Sequence, residues 1–144
     1  FGAMVDGYRS DMTRTHMIGE PDAKQREVFE LVRSAQARAL EKIGHGVTSS
    51  EPHFAARFVI DESPYTRFAG EGLGHGVGLD LHERPLMGFG DNEMLYEGCV
   101  VTVEPGIYIP GWGGVRIEDD VVVTGDGYRL LTNSPRGLRV EGAA

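Results

Sequence analysis

The sequence predicts an α+β fold in which helices cover one face of a curved antiparallel sheet. The first half contains segments whose apolar residues recur at helical spacing. The second half consists of short β-branched runs separated by glycine and proline. Glycine marks the division, because 16 of the 21 glycines lie at or beyond Gly70. A chain of 144 residues without a repeat or a linker predicts a single domain over residues 1–144.

A first helix is predicted over residues 19–43. Asp22 stands at the N-cap position and Gln25 follows three residues later, which is the spacing of a capping box. The apolar residues of one helix face are Val28, Leu31, Val32, Ala35, Ala39 and Ile43. The Gly-His-Gly segment that follows is expected to end the helix. A second, shorter helix is predicted up to residue 60, with a capping box formed by Thr48 and Glu51.

The second half of the chain predicts strands and hairpins. The four most regular runs are 100–103, 106–109, 114–117 and 120–124. The Gly-Asp-Gly segment at 125–127 predicts a hairpin turn after the last of them. The loosely alternating segment 8–17 is predicted to form one further strand near the start of the chain.

Charge and composition exclude several classes of partner. The chain carries 14 basic and 22 acidic residues, a formal net charge of -8, which repels nucleic-acid phosphates and anionic lipids. Its longest apolar runs are far below the ~20 residues that cross a bilayer. The single cysteine, Cys99, cannot form an internal disulfide, which fits a reducing compartment. We therefore expect a cytoplasmic protein without nucleic-acid or membrane partners.

Four potential metal ligands lie in or beside predicted strands: Asp11, His75, Glu104 and Glu118. Neighbouring antiparallel strands bring side chains that are distant in sequence to within ~5 Å of one another. One imidazole among carboxylates suits Mn, Fe, Co or Zn. Taken singly, each acidic residue could equally be a turn residue, a strand end or part of a solvated sheet edge. The combination predicts a metal centre, and the glycines at 74, 76 and 78 leave room around the imidazole.

Four ordered motifs resemble those of the pita-bread metallopeptidases, the family that contains methionine aminopeptidase, aminopeptidase P and prolidase. The motifs are Asp-Gly-Tyr-Arg-Ser-Asp-Met-Thr-Arg-Thr (6–15), Gly-His-Gly-Val-Gly-Leu-Asp-Leu-His-Glu-Arg-Pro (74–85), Val-Glu-Pro-Gly-Ile-Tyr (103–108) and Gly-Val-Arg-Ile-Glu-Asp (114–119). The resemblance runs from Phe1 to about Pro135. The first and last motifs are most similar to the proline-specific branch, Xaa-Pro dipeptidase and aminopeptidase P. The resemblance implies the pita-bread fold.

The resemblance also implies a pair of divalent ions, with manganese favoured over cobalt, zinc or iron. Asp11 and Glu118 would each bridge both ions, and His75 and Glu104 would complete the second ion's ligands. In the family, a hydroxide held by the ions attacks the peptide bond. Glu104 would accept a proton from the attacking water.

Two further residues receive roles through the same resemblance. His82 would contact the substrate near the scissile bond and stabilise the intermediate. Arg116 lies two residues before Glu118, so that both would project from the same face of a strand. Its guanidinium would orient a carboxylate ligand or bind the substrate's carbonyl or carboxylate. The implied substrate is a proline-containing dipeptide or oligopeptide, and the implied assembly of the full-length protein is a homodimer.

The chain departs from the family pattern at two places. The family has one more ligand, an Asp eleven residues before Asp11, and that position would fall immediately before Phe1. We therefore expect residues 1–144 to be the C-terminal portion of the catalytic domain, incomplete at its N-terminus, binding one metal ion weakly and having little activity alone. Relatives also often carry a histidine four residues before the metal histidine, where this chain has Glu71.

Three alternatives remain open. Dipeptidase and aminopeptidase specificity are not separated by these motifs. The domain could also be a catalytically inactive pita-bread binding module. The third alternative is a creatinase-like, metal-free hydrolase, although such relatives lose the carboxylates and histidine that this sequence retains.

Overall fold

A computed structural model describes residues 1–142. It contains helices α1 (Ala23–Leu40) and α2 (Ser50–Asp61) and a short 3-10 helix (Thr66–Phe68). The strands are β1 (Gly2–Val5), β2 (Tyr8–Asp11), β3 (His16–Ile18), β4 (Gly72–Gly76), β5 (Glu83–Gly88), β6 (Val100–Val103), β7 (Gly106–Ile109), β8 (Gly113–Arg116), β9 (Asp119–Thr124), β10 (Gly127–Leu130) and β11 (Arg139–Glu141). No helix within residues 1–142 is long and apolar enough to cross a membrane.

The main sheet has five antiparallel strands in the order β10-β9-β6-β4-β5. Strands β1 and β2 form a separate antiparallel hairpin, as do β7 and β8. The predicted α+β class with an antiparallel sheet is confirmed. One pair of strands was not predicted: β3 and β11, which run parallel. The four strands predicted between residues 100 and 124 are each present within one residue of the expected bounds.

Helix α1 has the predicted capping box, but it begins at Ala23, after the predicted residue 19. The Asp22 carboxylate accepts the Gln25 backbone N–H, and the Gln25 side chain accepts the Asp22 backbone N–H, both at 2.8 Å. This reciprocal capping box fixes the first turn. The helix ends at Leu40, earlier than the predicted residue 43, but Ile43 is still buried in the core. The buried residues of its inner face include Val28, Phe29, Val32, Ala35 and Ala39.

The capping box predicted for helix α2 is wrong. Ser49 is the N-cap residue and its side chain makes no capping hydrogen bond. Thr48 instead forms an isolated antiparallel bridge with Met94, which holds the loop before α2 against the segment that precedes β6. Because this pairing fixes the backbone of Thr48, the helix begins one residue later than the sequence pattern predicts.

The single strand predicted over residues 8–17 is also wrong. The chain leaves the hairpin after Asp11, and Thr13 then pairs with Glu118 in an isolated antiparallel bridge. Strand β3 follows and pairs with β11. The segment therefore divides its pairing among three partners, and this division places Asp11 and Thr13 beside Glu118.

One hydrophobic core lies between the helices and the strands. Residues of α1, such as Phe29 and Val32, pack with Val101, Val103 and Ile107 in this cluster. Helix α2 contacts α1, β4 and β5. The burial of this apolar surface is what keeps strands from distant parts of the sequence together.

Candidate metal centre

Three predicted ligands converge. Asp11 lies at the end of β2, His75 lies in β4, and Glu118 lies between β8 and β9. One ligand atom from each lies within 4.8 Å of the other two. His75 and Glu118 are buried, at 7% and 2% exposure, and Asp11 is half-buried. The side chains come from three separate segments, so only the folded chain brings them together.

Glu104 follows β6 and lies beside this group of three. Its Oε1 is 3.2 Å from Nε2 of His75. The Thr102 hydroxyl donates to the same carboxylate at 2.9 Å and accepts the His75 backbone N–H at 3.0 Å. Burial alone would raise the pKa of Glu104, but the hydrogen bonds from His75 and Thr102 outweigh it and lower the pKa below its ordinary value. Glu104 is therefore a carboxylate at neutral pH.

The orientation of His75 is fixed from its other nitrogen. Nδ1 lies 3.0 Å from the carbonyl oxygen of Gly76, which can only accept, so Nδ1 carries a proton. Nε2 then faces the carboxylates, and this arrangement is common in metal-binding histidines. Burial alone would lower the pKa of His75, but the hydrogen bonds to Glu104 and Gly76 raise it above its ordinary value.

The glycines around His75 allow backbone segments to approach closely, as predicted. A Cβ atom at Gly74 would lie 2.1 Å from the Thr102 carbonyl oxygen. A Cβ atom at Gly76 would lie 2.4 Å from the Arg84 carbonyl oxygen. Any larger residue would therefore force β4 away from its neighbours and displace His75.

Glu118 is held in an environment that disfavours its charge. Burial raises its pKa to about 7, the Thr13 hydroxyl opposes this increase, and the charges of Glu104 and Asp11 add to it. Several converging carboxylates with little positive charge among them are costly to ionise together. A divalent cation would remove this repulsion, so the donor set fits such an ion.

Asp120 is a member of the site that the sequence did not predict. It is 3% exposed, and its Oδ2 accepts the Asp11 backbone N–H at 2.9 Å. Its Oδ1 has no hydrogen-bond partner within residues 1–142. Burial raises the pKa of Asp120 to about 6, and the charge of Asp11 contributes to the increase. Glu118, Asp119 and Asp120 are all buried, so a solvated sheet edge is the wrong interpretation of this acidic run.

The two residues expected to meet the substrate lie at the exposed side of the group. Nε of Arg116 is 3.9 Å from Oε2 of Glu104 and also 3.9 Å from Oε2 of Glu118. Its side chain is 42% exposed, and Nη1 donates to the Tyr108 hydroxyl at 3.3 Å. The exposed ring of His82 lies 4.1 Å from the ring of His75, measured between centroids.

Comparison with known proteins identifies the family of this chain. The sequence profile described as metallopeptidase family M24 matches residues 1–125. This chain belongs to metallopeptidase family M24. The Xaa-Pro dipeptidase of Pyrococcus furiosus is 48% identical to the M24 chain over 137 residues, which cover 95% of the chain and 39% of that protein.

Solved structures give the same result for the fold. An X-Pro aminopeptidase from Thermotoga maritima has a TM-score of 0.94 and 45% identity, over 97% of the M24 chain and 40% of its own. The prolidase of Pyrococcus horikoshii has a TM-score of 0.92 and 46% identity, over 95% and 40%. The predicted pita-bread fold is confirmed. The M24 chain spans about two-fifths of the length of these relatives.

Glu71, where the sequence departs from the family pattern, is exposed in the M24 chain. It lines a cleft of about 540 Å³ together with Phe54, Arg57, Arg67 and Phe89. Gly70, beside it, packs near the ring of Tyr108, which contacts Arg116. The cleft therefore lies next to the residues that flank the predicted metal ligands.

Proposed function

We propose that the natural protein containing this chain hydrolyses Xaa-Pro peptide bonds with divalent metal ions, as an Xaa-Pro dipeptidase or an Xaa-Pro aminopeptidase. The observation that carries the proposal is the convergence of ligand atoms from Asp11, His75 and Glu118 within 4.8 Å. Relatives named Xaa-Pro dipeptidase and X-Pro aminopeptidase, at 48% and 45% identity, support the substrate class.

In this proposal, four side chains of the chain bind two divalent ions. Asp11 and Glu118 would be shared by both ions, and His75 and Glu104 would bind one of them. Manganese is the proposed ion. Cobalt, zinc and iron are the alternatives, because carboxylate and imidazole donors suit all four ions. Bound divalent ions supply Lewis acidity and a water molecule of lowered pKa.

The residues of the chain then have distinct tasks. Glu104 is ionised at neutral pH and stands beside the ligands, which suits it to accept a proton from water. His82 presents an exposed ring next to His75, where it can contact the peptide near the scissile bond. Arg116 keeps part of its guanidinium exposed, and a guanidinium there binds a substrate carbonyl or carboxylate in a fixed orientation.

Proline at the second position explains why a dedicated site is needed. An Xaa-Pro bond has no amide hydrogen and its geometry is restricted by the proline ring. A peptidase that binds substrates through that hydrogen does not accept it. We propose that the cleft lined by Glu71 and Arg67 accommodates the peptide. We also propose that the complete protein is a cytoplasmic homodimer.

An assay of the complete natural protein that contains these residues tests the proposal. The substrates are Ala-Pro, Gly-Pro and the tripeptide Ala-Pro-Ala, with Ala-Ala as the matched control, in the presence of Mn²⁺ or EDTA. We expect Mn²⁺-dependent hydrolysis of the proline peptides and at least a tenfold preference over Ala-Ala.

The outcomes separate the remaining alternatives. Release of alanine from Ala-Pro-Ala indicates the aminopeptidase, and hydrolysis of the dipeptides alone indicates the dipeptidase. The absence of turnover on every peptide, with Mn²⁺ bound, would contradict the proposal and favour the binding module. Turnover that is unaffected by EDTA would favour the metal-free hydrolase.

A further inference from the structure

We propose that Thr13 is a positioning residue that orients the Glu118 carboxylate for metal binding; this rests on the metal site in the proposed function. The backbone places the two residues together. They form an antiparallel bridge, and the Glu118 N–H donates to the Thr13 carbonyl oxygen at 3.1 Å. They are separated by 105 positions in the sequence.

The Thr13 hydroxyl acts as both a hydrogen-bond donor and a hydrogen-bond acceptor. It donates to Oε2 of Glu118 and accepts the Nε–H of Arg116 at 2.9 Å. The direct distance from Arg116 Nε to Glu118 Oε2 is 3.9 Å, which is too long for a hydrogen bond. The Thr13 hydroxyl therefore connects the Arg116 guanidinium to the Glu118 carboxylate, which form no direct hydrogen bond with each other.

This connection limits how the Glu118 carboxylate can turn. One lone pair of Oε2 is directed to the hydroxyl, so the remaining lone pairs of the carboxylate are left for a cation. Glu118 is buried, and no other side chain within residues 1–142 bonds to its carboxylate. Groups that orient a metal ligand from outside the coordination sphere change metal affinity by about 10- to 100-fold when they are removed.

The surrounding backbone is held independently of the hydroxyl. Nη1 of Arg14 donates to the carbonyl oxygens of both Thr13 and Glu118. Replacing the Thr13 hydroxyl with a methyl group therefore removes the orienting hydrogen bond and leaves the bridge in place. Valine has nearly the same shape as threonine, and serine keeps the hydroxyl.

The chain also offers a matched control. Thr15, two residues on, uses its hydroxyl in both directions as well, donating to the Arg116 carbonyl oxygen at 2.9 Å and accepting the Arg116 backbone N–H at 3.2 Å. It makes no contact with the Glu118 carboxylate. Thr15→Val thus removes two similar hydrogen bonds without affecting the orientation of the ligand.

The test is the Mn²⁺ affinity of the complete natural protein that contains these residues, measured by electron paramagnetic resonance of free Mn²⁺ for the unsubstituted protein and for Thr13→Val, Thr13→Ser and Thr15→Val. We expect Kd to rise about 10- to 100-fold in Thr13→Val and about threefold or less in the other two. Thermal unfolding in EDTA verifies that the variants are folded, and Thr13→Ala replaces Thr13→Val if the valine variant is not.

Equal affinity of Thr13→Val and the unsubstituted protein overturns the role of Thr13 and leaves the proposed metal site intact. An equal loss in Thr13→Val and Thr15→Val overturns it too, because it indicates a general structural effect. The absence of Mn²⁺ binding by the unsubstituted complete protein contradicts both the metal site and this inference.

Discussion

Nη2 of Arg14 lies 2.7 Å from Oδ1 of Asp119 in an ion pair whose side chains are 8% and 0% exposed. Arg136 Nε lies 2.6 Å from the other oxygen of the same carboxylate. Gln36 of α1 donates to that oxygen at 2.9 Å, and the Thr132 hydroxyl also bonds to Asp119. Asp119 thus joins α1, β9 and the segment after β10 immediately next to the proposed metal ligand Glu118.

Asp119→Asn should therefore be strongly destabilising. Removing the Asp119 charge leaves the guanidinium groups of Arg14 and Arg136 without a compensating negative charge. Breaking a buried ion pair in this way costs about 3–5 kcal/mol in the free energy of unfolding. Urea unfolding measures it. The control is Glu41→Gln, because the Arg38–Glu41 pair has more than half of each side chain exposed and should contribute about 1 kcal/mol or less. Similar losses in the two variants would contradict the prediction.

Gly74→Ala should damage both the sheet and the metal site. The new methyl group would meet the Thr102 carbonyl oxygen at 2.1 Å, so β4 must shift and take His75 with it. We expect a loss of more than about 2 kcal/mol in unfolding free energy, at the high end for overpacking, and weaker Mn²⁺ binding. Gly137→Ala is the control, since no atom lies within 4 Å of its added methyl group. Unchanged Mn²⁺ affinity in Gly74→Ala would contradict the expectation that a clash with Thr102 displaces His75.

The stability of the metal-free chain should depend on Glu118 protonation. Its folded-state pKa of about 7 lies above the ordinary value of 4.5, so the folded chain binds this proton more tightly than the unfolded chain. The corresponding stabilisation is present below about pH 4.5 and is lost as the pH rises to about 7. The shift corresponds to about 3 kcal/mol.

Urea unfolding in EDTA between pH 4.5 and 8 provides the measurement, with Glu118→Gln as the reference because glutamine does not titrate. The unsubstituted chain should lose stability relative to Glu118→Gln as the pH rises. His75, Glu104 and Asp120 also titrate with shifted pKa values, but they are common to both proteins, so the difference between the two proteins reports mainly on Glu118. A difference that stays constant with pH would refute the prediction.

His75→Asn should weaken Mn²⁺ binding to the chain. Asparagine cannot supply the imidazole nitrogen that faces Asp11 and Glu118, so we expect Kd to rise at least about tenfold. Equilibrium dialysis against Mn²⁺ gives both affinity and stoichiometry, and one weakly bound ion per unsubstituted chain is expected. His16→Asn is the control, because His16 is exposed on β3. Two tightly bound ions would contradict the expected stoichiometry for this chain. Equal effects of the two substitutions would be incompatible with a role of His75 in binding.

The local parts of the fold were readable from the sequence. The capping box of Asp22 and Gln25 depends on residues three apart, and the β-branched runs between 100 and 124 signal strands without reference to distant residues. The incorrect predictions occur where pairing with a residue distant in sequence determines the local structure. Thr48 is held by Met94, and Thr13 by Glu118, so neither the second capping box nor the continuous strand over 8–17 forms.

The same distinction applies to the site. The motifs predicted Asp11, His75 and Glu118, and the structure brings them together. Asp120 was missed because acidic residues at the start of a strand usually meet solvent, whereas here the carboxylate accepts the Asp11 backbone N–H. A signal was available, since the three valines that follow form a strand buried for most of its length.

The isolated bridge between Thr13 and Glu118 closes a loop of about one hundred residues. The proposed ligands Asp11 and Glu118 lie at the two ends of this loop. A cation held by both carboxylates would act as a reversible cross-link across that loop. By mass action, a free ion concentration 100 times Kd would add about 2.7 kcal/mol to the stability of the fold. Cellular metal supply would then govern the lifetime of the folded protein as well as its chemistry.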